Sequence, residues 1–329
     1  CRKRVREAGV PVVPGSEGVV SDPDEALAIA KEIGFPVLVK ASAGGGGKGM
    51  RTAHNDVALK NALSLAAAEA EAAFGNPGVY IEKFVEGARH VEFQIMGDHH
   101  GKVVTLGERE CTIQRRHQKL IEETPSTGLT SALRKRMAAA AVKAAKAINY
   151  TNAGTAEFLL APDGEFYFIE FNARIQVEHP VTEEVTGADL VVEQFRVAAG
   201  EPLQVDSLKP FGAAIEARVY AEDPDNNFAP SPGLISRCHL PGGPGIRIDS
   251  HIYSGYVVPR YYDSLLAKVI AHGQNREEAI NRLVAALDEF TTEGVRTTAK
   301  LCARIVESDG FRKGELSPTF IEQFLPRVK

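Results

Sequence analysis

The chain has 329 residues, of which 44% are hydrophobic and 25% are charged, which is typical of a folded protein with a sizeable core and two domains or subdomains. A formal net charge of -5 gives no global basic field, so nucleic acid is not an expected partner. No apolar run is long enough to span a bilayer and no signal peptide is evident, so no membrane association is expected. The scattered cysteines Cys1, Cys111, Cys238 and Cys302 favour a reducing compartment, either the cytoplasm or an organelle interior.

The opening segment, CRKRVREAGVPVVPG, is typical of the end of a helix followed by a turn. Because the first residue is cysteine rather than methionine, we expect that an N-terminal portion has been lost. Residues 1–11 would then be a linker remnant of a missing N-terminal domain.

The next segment predicts a small unit over residues 12–84. It begins with a helix that has Asp22 as N-cap, Pro23 in its first turn and Gly34 at its end. PVLVKASAGGGGKGMRTAH then predicts a strand, a glycine loop and a second strand, before a helix over Asp56–Phe74 and the strand GVYIEKFVEG.

Residues 85–329 predict a larger unit. The expected strands lie near 90–96, 102–108, 213–220 and 264–272, with a hairpin near 155–178 and helices near 131–148, 183–199 and 276–290. Because helices and strands interleave without strict alternation, the predicted fold class is α+β with mixed or antiparallel sheets.

A row of polar residues runs through IEFNARIQVEHP, from Ile169 to Pro180. If this segment is a strand, one face carries Glu170, Asn172, Arg174, Gln176 and Glu178. A half-solvated strand gives the same alternation, so the row indicates function only if a phosphate site exists elsewhere in the chain. On the functional interpretation, Arg174 is a fork suited to an oxyanion and Glu178 is a base.

The preceding hairpin brings a second carboxylate to this row. Pro-Asp-Gly marks the turn, and a loop of Pro162–Glu165 would place Ala161 opposite Phe166 and Glu157 opposite Glu170. Like charges in direct opposition destabilise an antiparallel pair unless a cation lies between them or one of them is protonated. The sequence therefore predicts a hard cation such as Mg²⁺ or Mn²⁺ at this position.

The glycine loop KASAGGGGKGM is a candidate phosphate site. Lys40 ends an apolar strand, and Gly44–Gly47 allow the backbone N–H groups to close over phosphates. No helix follows directly and the residue after Lys48 is glycine, which disfavours both a Rossmann and a Walker site. A nucleotide flap and a flexible exposed loop both remain open.

The segment ECTIQRRHQKLIEE concentrates Arg115, Arg116, His117 and Lys119 in an otherwise acidic protein. A solvated surface run is the usual interpretation of such a segment. Apolar neighbours such as Ile113 indicate partial burial, and partly buried cations need anions, which a polyphosphate and a small oxyanion would supply.

Taken together, these segments resemble the ATP-grasp enzymes and specifically biotin carboxylase, the component that loads CO₂ onto biotin. The resemblance covers nearly the whole chain and is carried by GVPVVPGS, VLVKASAGGGGKGM, EKFVEGARHVEFQI, ERECTIQRRHQKLIEETP, GTAEF, FIEFNARIQVEHPVTEEVTGADLV, EARVYAEDP, SPGLI and YYDSLLAKVI. It implies an ATP-grasp fold with a glycine-flap subdomain and a larger C-terminal part.

The resemblance also implies roles for individual residues. The positions that match its Mg²⁺ or Mn²⁺ ligands, with two ions expected, are Glu157, Glu170 and Asn172. The positions that match its bicarbonate site are Lys119, Arg174, Gln176, Val177 and Glu178. The positions that match its ATP site are Lys40, Gly44, Gly45, Gly46, Gly47, Glu82, Lys83, Val85, His90, Gln114 and His117. Arg247 matches an arginine near the biotin ureido group.

The implied reaction is ATP-dependent formation of carboxyphosphate from bicarbonate, followed by carboxylation of biotin, with Lys119, Arg174, Glu178 and Arg247 as catalytic residues. Implied partners are biotin carboxyl carrier protein and the carboxyltransferase subunits, and a homodimer is expected at full length. Three interpretations stay open: a component of acetyl-CoA carboxylase, part of a larger acyl-CoA or pyruvate carboxylase, and a nucleotide-binding fragment without turnover. The lysine of the family's Gly-Asp-Lys motif is not matched by Lys3, which leaves the activity of this chain in question.

Overall fold

A computed structural model describes residues 1–43, 49–205 and 208–325. The predicted flap residues Gly44, Gly45, Gly46 and Gly47 lie outside this part of the chain. Within it, no helix combines the length and the apolar character that crossing a membrane would need.

The N-terminal part contains a three-stranded antiparallel sheet covered by two helices. Its strands are β1 Val37–Ala41, β2 Arg51–Ala53 and β3 Val79–Lys83, in the spatial order β2-β1-β3. The helices are α2 Pro23–Ile33, capped by Asp22, and α3 Asp56–Phe74, capped by Asn55. Side chains from the helices and the sheet form one apolar cluster around Val39 and Ile81. The predicted helix and strand signals of this region are confirmed.

A large antiparallel sheet of eight strands forms the rest of the scaffold. Its strands are β4 Arg89–Gly97, β5 Val103–Arg115, β6 Gln118–Thr124, β7 Asn152–Leu160, β8 Phe166–Asn172, β9 Ala213–Tyr220, β14 Ile246–Ser250 and β16 Leu265–Gly273. Their spatial order is β14-β16-β9-β6-β5-β4-β7-β8. Three short ladders pair β10 Glu222–Asp223 with β11 Ala229–Pro230, β12 Gly233–Leu234 with β15 Val257–Val258, and β13 Arg237–His239 with β17 Thr291–Glu293. The predicted α+β class is confirmed.

The remaining helices pack mainly on the large sheet. They are α1 Arg2–Glu7, α4 Ser131–Ala147, α5 His179–Thr186, α6 Leu190–Ala198, α7 Arg276–Glu289, α8 Ala299–Glu307 and α9 Asp309–Lys313, with 3₁₀ turns at Pro224–Asn226 and Phe320–Phe324. The buried face of α4 consists of Met137 and four alanines. These small side chains let the helix approach β4 and β5 closely, so Phe93 and Phe158 fill the space beneath it. The helices α7 and α8 cover β9 and β16 in a second core.

The structure corrects two predicted elements that bear on the polar row. The predicted hairpin arm does not continue to residue 178, because β8 ends at Asn172 and the chain turns before α5. The predicted helix near 183–199 is two helices, since Gly187 ends α5 with a φ of 72° and Asp189 caps α6. The strand predicted over 102–108 also extends to Arg115.

Candidate active site

The pairing of β7 with β8 places two carboxylates opposite each other. Leu160 pairs with Phe166, one position off the predicted pairing of Ala161 with Phe166, because the loop is one residue longer than expected. An irregularity after Glu157 then restores the register, so Glu157 does face Glu170. The predicted opposition is confirmed, although two local differences cancel to produce it.

The groups around this pair fit a hard divalent cation. The Asn172 amide donates to Glu157 Oε1 over 2.8 Å, which leaves the amide oxygen of Asn172 free to coordinate. Glu170 is exposed, but the loss of part of its hydration, followed by the negative charge of Glu157, raises its pKa. Two carboxylates that repel each other and a neutral amide oxygen are the donor set that Mg²⁺ or Mn²⁺ takes, with further ligands from substrate phosphate.

A histidine lies on the other side of Glu157. His90 Nε2 is 3.2 Å from Glu157 Oε2, and Gln114 Nε2 contacts His90 Nδ1 at 3.1 Å. Burial opposes ionisation of Glu157, but His90 and Lys119 outweigh it and lower the pKa of this carboxyl to about 2. Glu157 is therefore an anion across the physiological range.

The turn after β8 carries the rest of the polar row. Arg174 Nη1 donates to Gln176 Oε1 over 3.0 Å, and Gln176 Nε2 donates to Glu157 Oε1 over 3.3 Å. Arg174 is exposed, whereas Gln176 and Glu178 are buried. Glu178 is the N-cap of α5 but makes no capping hydrogen bond, because its carboxylate points to other partners.

Lys119 is a cation that three carboxylates of the site contact. Its Nζ lies 2.5 Å from Glu92 Oε2, 2.6 Å from Glu178 Oε1 and 3.3 Å from Glu157 Oε1. Burial would lower the pKa of Lys119, but Glu92 first and then the other anions raise it well above its usual value. Lys119 is therefore a fixed positive charge held by three carboxylates.

Glu178 is held by two cations. Besides Lys119, Arg218 Nη2 donates to Glu178 Oε2 over 2.8 Å. Burial alone would raise the pKa of Glu178, but Lys119 and then Arg218 hold it well below its usual range. The carboxylate is ionised, and each of its oxygens accepts from one of the two cations.

A buried arginine fixes Glu92 beneath Lys119. Arg109 is fully buried and donates to Glu92 Oε1 over 2.6 Å and to Gln94 Oε1 over 2.7 Å. Thr155 and Thr182 accept two more of its hydrogen bonds, each over 3.1 Å. The guanidinium of Arg109 has hydrogen-bond partners on each side and therefore fixes the carboxylate of Glu92. Glu92 in turn binds Lys119.

The turn between β5 and β6 has an unusual backbone. Arg116 and His117 have φ values of 49° and 67°, and they connect Arg115 to its partner Gln118. Positive φ at both central residues is the type I′ geometry that normally selects Asn-Gly. Burial, and then Lys40 and His90, lower the pKa of His117. Two consecutive basic residues therefore occupy the positive-φ positions of this strained turn.

The predicted nucleotide residues of the small sheet are held by local partners. Lys40 Nζ contacts Glu82 Oε2 at 2.6 Å, and Arg2 contacts the other oxygen of Glu82 at 2.8 Å. Lys83 donates to the carbonyl oxygens of Gly34 and Phe35. The half-buried Val85 follows two residues after β3. Their contact with adenine stays a prediction.

The structure does not bring Arg247 into contact with Glu178. Its guanidinium donates to Asp249 and Glu183 over 2.8 Å each. Asp249 also binds Lys268, and Lys268 donates to the Val177 carbonyl over 3.0 Å. Arg247 is therefore connected to the polar row only indirectly, through Asp249 and Lys268.

Sequence reasoning missed Glu92, Arg109 and Arg218. Each is a charged residue within a strand that is buried in the structure, in HVEFQIM, GERECTI and AAIEARVY. Burying a charge in a strand costs free energy unless the charge has a partner. A charged residue within a mainly apolar strand sequence was therefore the signal that could have identified these residues.

Comparison with known proteins gives a consistent family. Residues 1–206 match the family described as "Carbamoyl-phosphate synthase L chain, ATP binding domain", and residues 216–323 match "Biotin carboxylase C-terminal domain". The biotin carboxylase of Nostoc sp. is 55% identical over 98% of this chain and 72% of its own length. The chain belongs to the biotin carboxylase family. The resemblance predicted from the motifs is thus confirmed.

Other members of the family extend the comparison. A component of the pyruvate carboxylase of Methanothermobacter thermautotrophicus is 52% identical over 98% of this chain and 66% of its own length. The biotin carboxylase domain dimer of Hydrogenobacter thermophilus 2-oxoglutarate carboxylase, solved with MgADP, ADP and bicarbonate, has a TM-score of 0.95. It is 47% identical, and the match covers 98% of this chain and 71% of that chain. The predicted ATP-grasp fold is confirmed by this likeness.

Proposed function

We propose that this chain catalyses the ATP- and bicarbonate-dependent carboxylation of biotin. The observation that carries the proposal is the convergence of Lys119 and Arg218 on Glu178, beside the opposed pair Glu157 and Glu170. An anion site and a cation site that share Lys119 suit a reaction between an oxyanion and a metal-bound polyphosphate.

The nucleotide is proposed to lie between the small sheet and the large one. Glu157, Glu170 and Asn172 would hold Mg²⁺ or Mn²⁺, which neutralises phosphate charge when bound. Lys40, the flap residues, Glu82, Lys83, Val85, His90, Gln114 and His117 are the proposed ATP contacts. Family membership and the MgADP held by the Hydrogenobacter relative support this assignment.

Bicarbonate is proposed to bind at Arg174, Gln176, the backbone of Val177, and Lys119. In this arrangement Lys119 turns from Glu178 towards the substrate anion. Glu178 then loses one of the two cations that depress its pKa, becomes a stronger base, and takes the bicarbonate proton. The resulting oxyanion attacks the γ-phosphorus, the bond to ADP breaks, and carboxyphosphate forms.

The second step needs an arginine near the ureido oxygen of biotin. Carboxyphosphate breaks down to CO₂ and phosphate, phosphate removes the ureido N–H proton, and the enolate attacks CO₂. Arg218 is our proposed stabiliser of the enolate, since its guanidinium already touches Glu178. Arg247, the residue assigned from the resemblance, has its donors engaged by Glu183 and Asp249.

The wider setting is also proposed. Biotin carboxyl carrier protein and the carboxyltransferase subunits are the proposed partners, in a complex of either the acetyl-CoA or the pyruvate carboxylase type, since relatives carry both kinds of name. A homodimer at full length is supported by the dimeric Hydrogenobacter relative. Four free cysteines support a cytoplasmic or organelle setting, and the units 12–84 and 85–329 are our proposed division after the linker 1–11.

The test is ADP release by the full-length protein from ATP and bicarbonate, with and without free biotin. We expect biotin-stimulated release that Glu178→Gln lowers by about 100-fold or more while Mg·ATP binding is retained. Binding of Mg·ATP without any ADP release by the wild-type protein would support a nucleotide-binding module instead. Full turnover by Glu178→Gln would remove Glu178 from its proposed role.

A further inference from the structure

Two buried glutamates lie behind Arg218, outside the residues used above. Glu122 on β6 and Glu216 on β9 are direct partners in the sheet, and both side chains are fully buried. Side chains of directly opposed residues share one face of the sheet and lie close enough to touch. The strands therefore force two acidic groups together in the interior.

Three of the four carboxylate oxygens of this pair have no hydrogen-bond partner in the described part of the chain. Arg218 Nε donates to Glu122 Oε1 over 2.6 Å, whereas Glu122 Oε2 and both oxygens of Glu216 are unpartnered. Buried polar atoms without partners are rare, because each loses its hydrogen bonds to water without replacement. A hydrogen shared between the two carboxyl groups would satisfy an oxygen on each.

Among the described residues, Arg218 is the only cation that makes a hydrogen bond to the pair. Lys268, opposite Arg218 on β16, already binds Asp249 and the Val177 carbonyl. On α5, which packs over these strands, the titratable groups are His179, Glu183 and Glu184. His179 lies 3.7 Å from Glu183, and Arg247 binds both acidic residues of α5.

The remaining charged groups near the pair are Lys119 and Glu178, which bind each other. The titratable groups Cys111, Tyr220 and Cys302 also lie near Glu122, and burial raises the pKa of each, which keeps them neutral. Arg218 binds Glu122 and Glu178 at once, and no described residue donates a hydrogen bond to Glu216, although the charges of Lys268 and Arg218 act on it from a distance. Burial, and then the charge of Glu122, raises the pKa of Glu216 well above its usual value. Burial raises the pKa of Glu122 to about 7 against the opposing charge of Arg218.

We propose that Glu122 and Glu216 share one proton, and that this pair is a positioning device that holds Arg218 against Glu178. The O–H of the protonated Glu216 donates to Glu122 Oε2, and the single negative charge of the pair faces Arg218. The inference rests on the proposed function for its consequence in turnover, but the shared proton itself does not depend on it. Neither residue touches a substrate, so both are positioning residues.

The position of Arg218 depends on the charge of the pair. With one proton on the pair, Arg218 lies between one negative charge on Glu122 and one on Glu178 and donates a hydrogen bond to each. If the pair lost its proton, two negative charges on one side would draw the guanidinium away from Glu178. The pair therefore links an alkaline loss of turnover to Arg218 without any contact with substrate.

Infrared difference spectroscopy tests the proton directly. The wild-type spectrum minus that of Glu216→Gln, at neutral pH and without substrates, is expected to show the carbonyl band of a protonated carboxylic acid. Glutamine keeps the size of the side chain and an N–H donor, so the fold is retained. If the difference spectrum shows an ionised carboxylate band instead, the proposal is wrong, and the pair either repels or holds a bound cation.

Turnover tests the positioning role in the full-length protein. Glu216→Leu leaves Glu122 Oε2 without a donor and is expected to lower kcat about tenfold or more, because small displacements in a site have large effects on rate. Glu216→Gln is expected to rescue most of this loss. Equal losses in both variants would show that the hydrogen bond to Glu122 is not what matters.

The pH dependence of kcat at alkaline pH distinguishes a role of the pair in positioning Arg218 from a role in stability alone. Wild-type kcat is expected to fall as the pair loses its proton, whereas Glu216→Gln has no such proton and keeps its kcat to higher pH. Superimposable alkaline limbs would overturn the positioning role. If the wild-type protein shows no biotin-dependent turnover at all, the proposed function fails while the infrared result still decides the shared proton.

Discussion

Glu157 and Glu170 are direct cross-strand partners at the open end of the β7–β8 hairpin. Opposed like charges destabilise an antiparallel pair, and the two carboxylates meet beside the Asn172 amide. The substrate-free protein therefore contains a repulsion that a bound divalent cation would convert into attraction. Folding stability at this point is linked to the loading of the site.

We predict that Glu170→Gln stabilises the protein in the absence of divalent ions. Removing one of two opposed charges should raise the free energy of unfolding by roughly 0.5 kcal/mol, within the range for cross-strand pairs. The same variant should lose most of the thermal stabilisation that Mg²⁺ gives the wild type. Thermal unfolding with EDTA and with Mg²⁺ measures both effects. Glu165→Gln, on the exposed loop of the same hairpin, is the control and should change neither.

The stabilisation by Glu170→Gln should depend on pH. The pKa of Glu170 is raised in the folded protein, so the wild type is relatively most stable while Glu170 is protonated and loses this stability as pH rises through the folded pKa. The advantage of the variant should therefore be absent below the ordinary pKa of a glutamate and grow as pH rises above it. Denaturant titrations in EDTA across this range provide the measurement. An advantage that is constant with pH would contradict the charge repulsion.

Lys119→Gln should have opposite effects on stability and on metal binding. Losing the cation leaves Glu92 and Glu178 with less compensated buried charge, at a cost of about 3 kcal/mol or more in unfolding free energy. The freed carboxylates should bind Mn²⁺ more tightly without nucleotide, which calorimetry would detect. The exposed Lys135→Gln is the matched control. Weaker Mn²⁺ binding by Lys119→Gln would show that the lysine and the ion do not compete.

Arg109→Lys should be destabilising although it keeps the charge. A lysine cannot reach Glu92, Gln94 and the two threonines together, so buried acceptors lose their donors. We expect a loss of about 3 kcal/mol in unfolding free energy, measured by denaturant titration, and a fall in kcat larger than any change in KM for ATP. The exposed Arg260→Lys should change neither quantity. Equal stability of Arg109→Lys and wild type would contradict a dependence on the planar fork.

Relaxing the strained turn should separate stability from activity. The double variant Arg116→Asn with His117→Gly has the preferred type I′ sequence, and it should gain about 1 kcal/mol in unfolding free energy. Its kcat should fall, because both basic side chains of the turn are gone. His117→Ala keeps the positive φ and serves as the control, with no gain in stability. A double variant as active as the wild type would show that neither the side chains nor the strain of this turn contributes to turnover.

The elements that the sequence predicted well are those with local signals. Asp22 caps the start of α2 through its side chain and Gly34 ends the helix at a positive φ, so the bounds of α2 were predicted closely. The turn at Pro162–Gly164 likewise located the hairpin. The irregularity after Glu157 left no such signal, and the predicted register at Glu157 was right only because this irregularity offset a longer loop.

The candidate site was harder to predict because its partners are remote in sequence. Arg218 meets Glu178 and Glu122 only when β9 lies beside β6, and no local pattern encodes that neighbour. The polar row was predicted as a strand through Glu178, since alternation cannot distinguish a strand from a turn that happens to alternate. The chain turns after Asn172, and this turn is what carries Glu178 to Lys119.

The three carboxylates around Lys119 have a consequence for the order of substrate addition. They already satisfy this lysine, so bicarbonate bound at the proposed site would have to compete with them for it. If Mg·ATP engages Glu157 as proposed, one competitor is removed and Lys119 is freer to bind a new anion. The proposed sites therefore predict an ordered kinetic scheme, in which bicarbonate binds weakly until the nucleotide is in place.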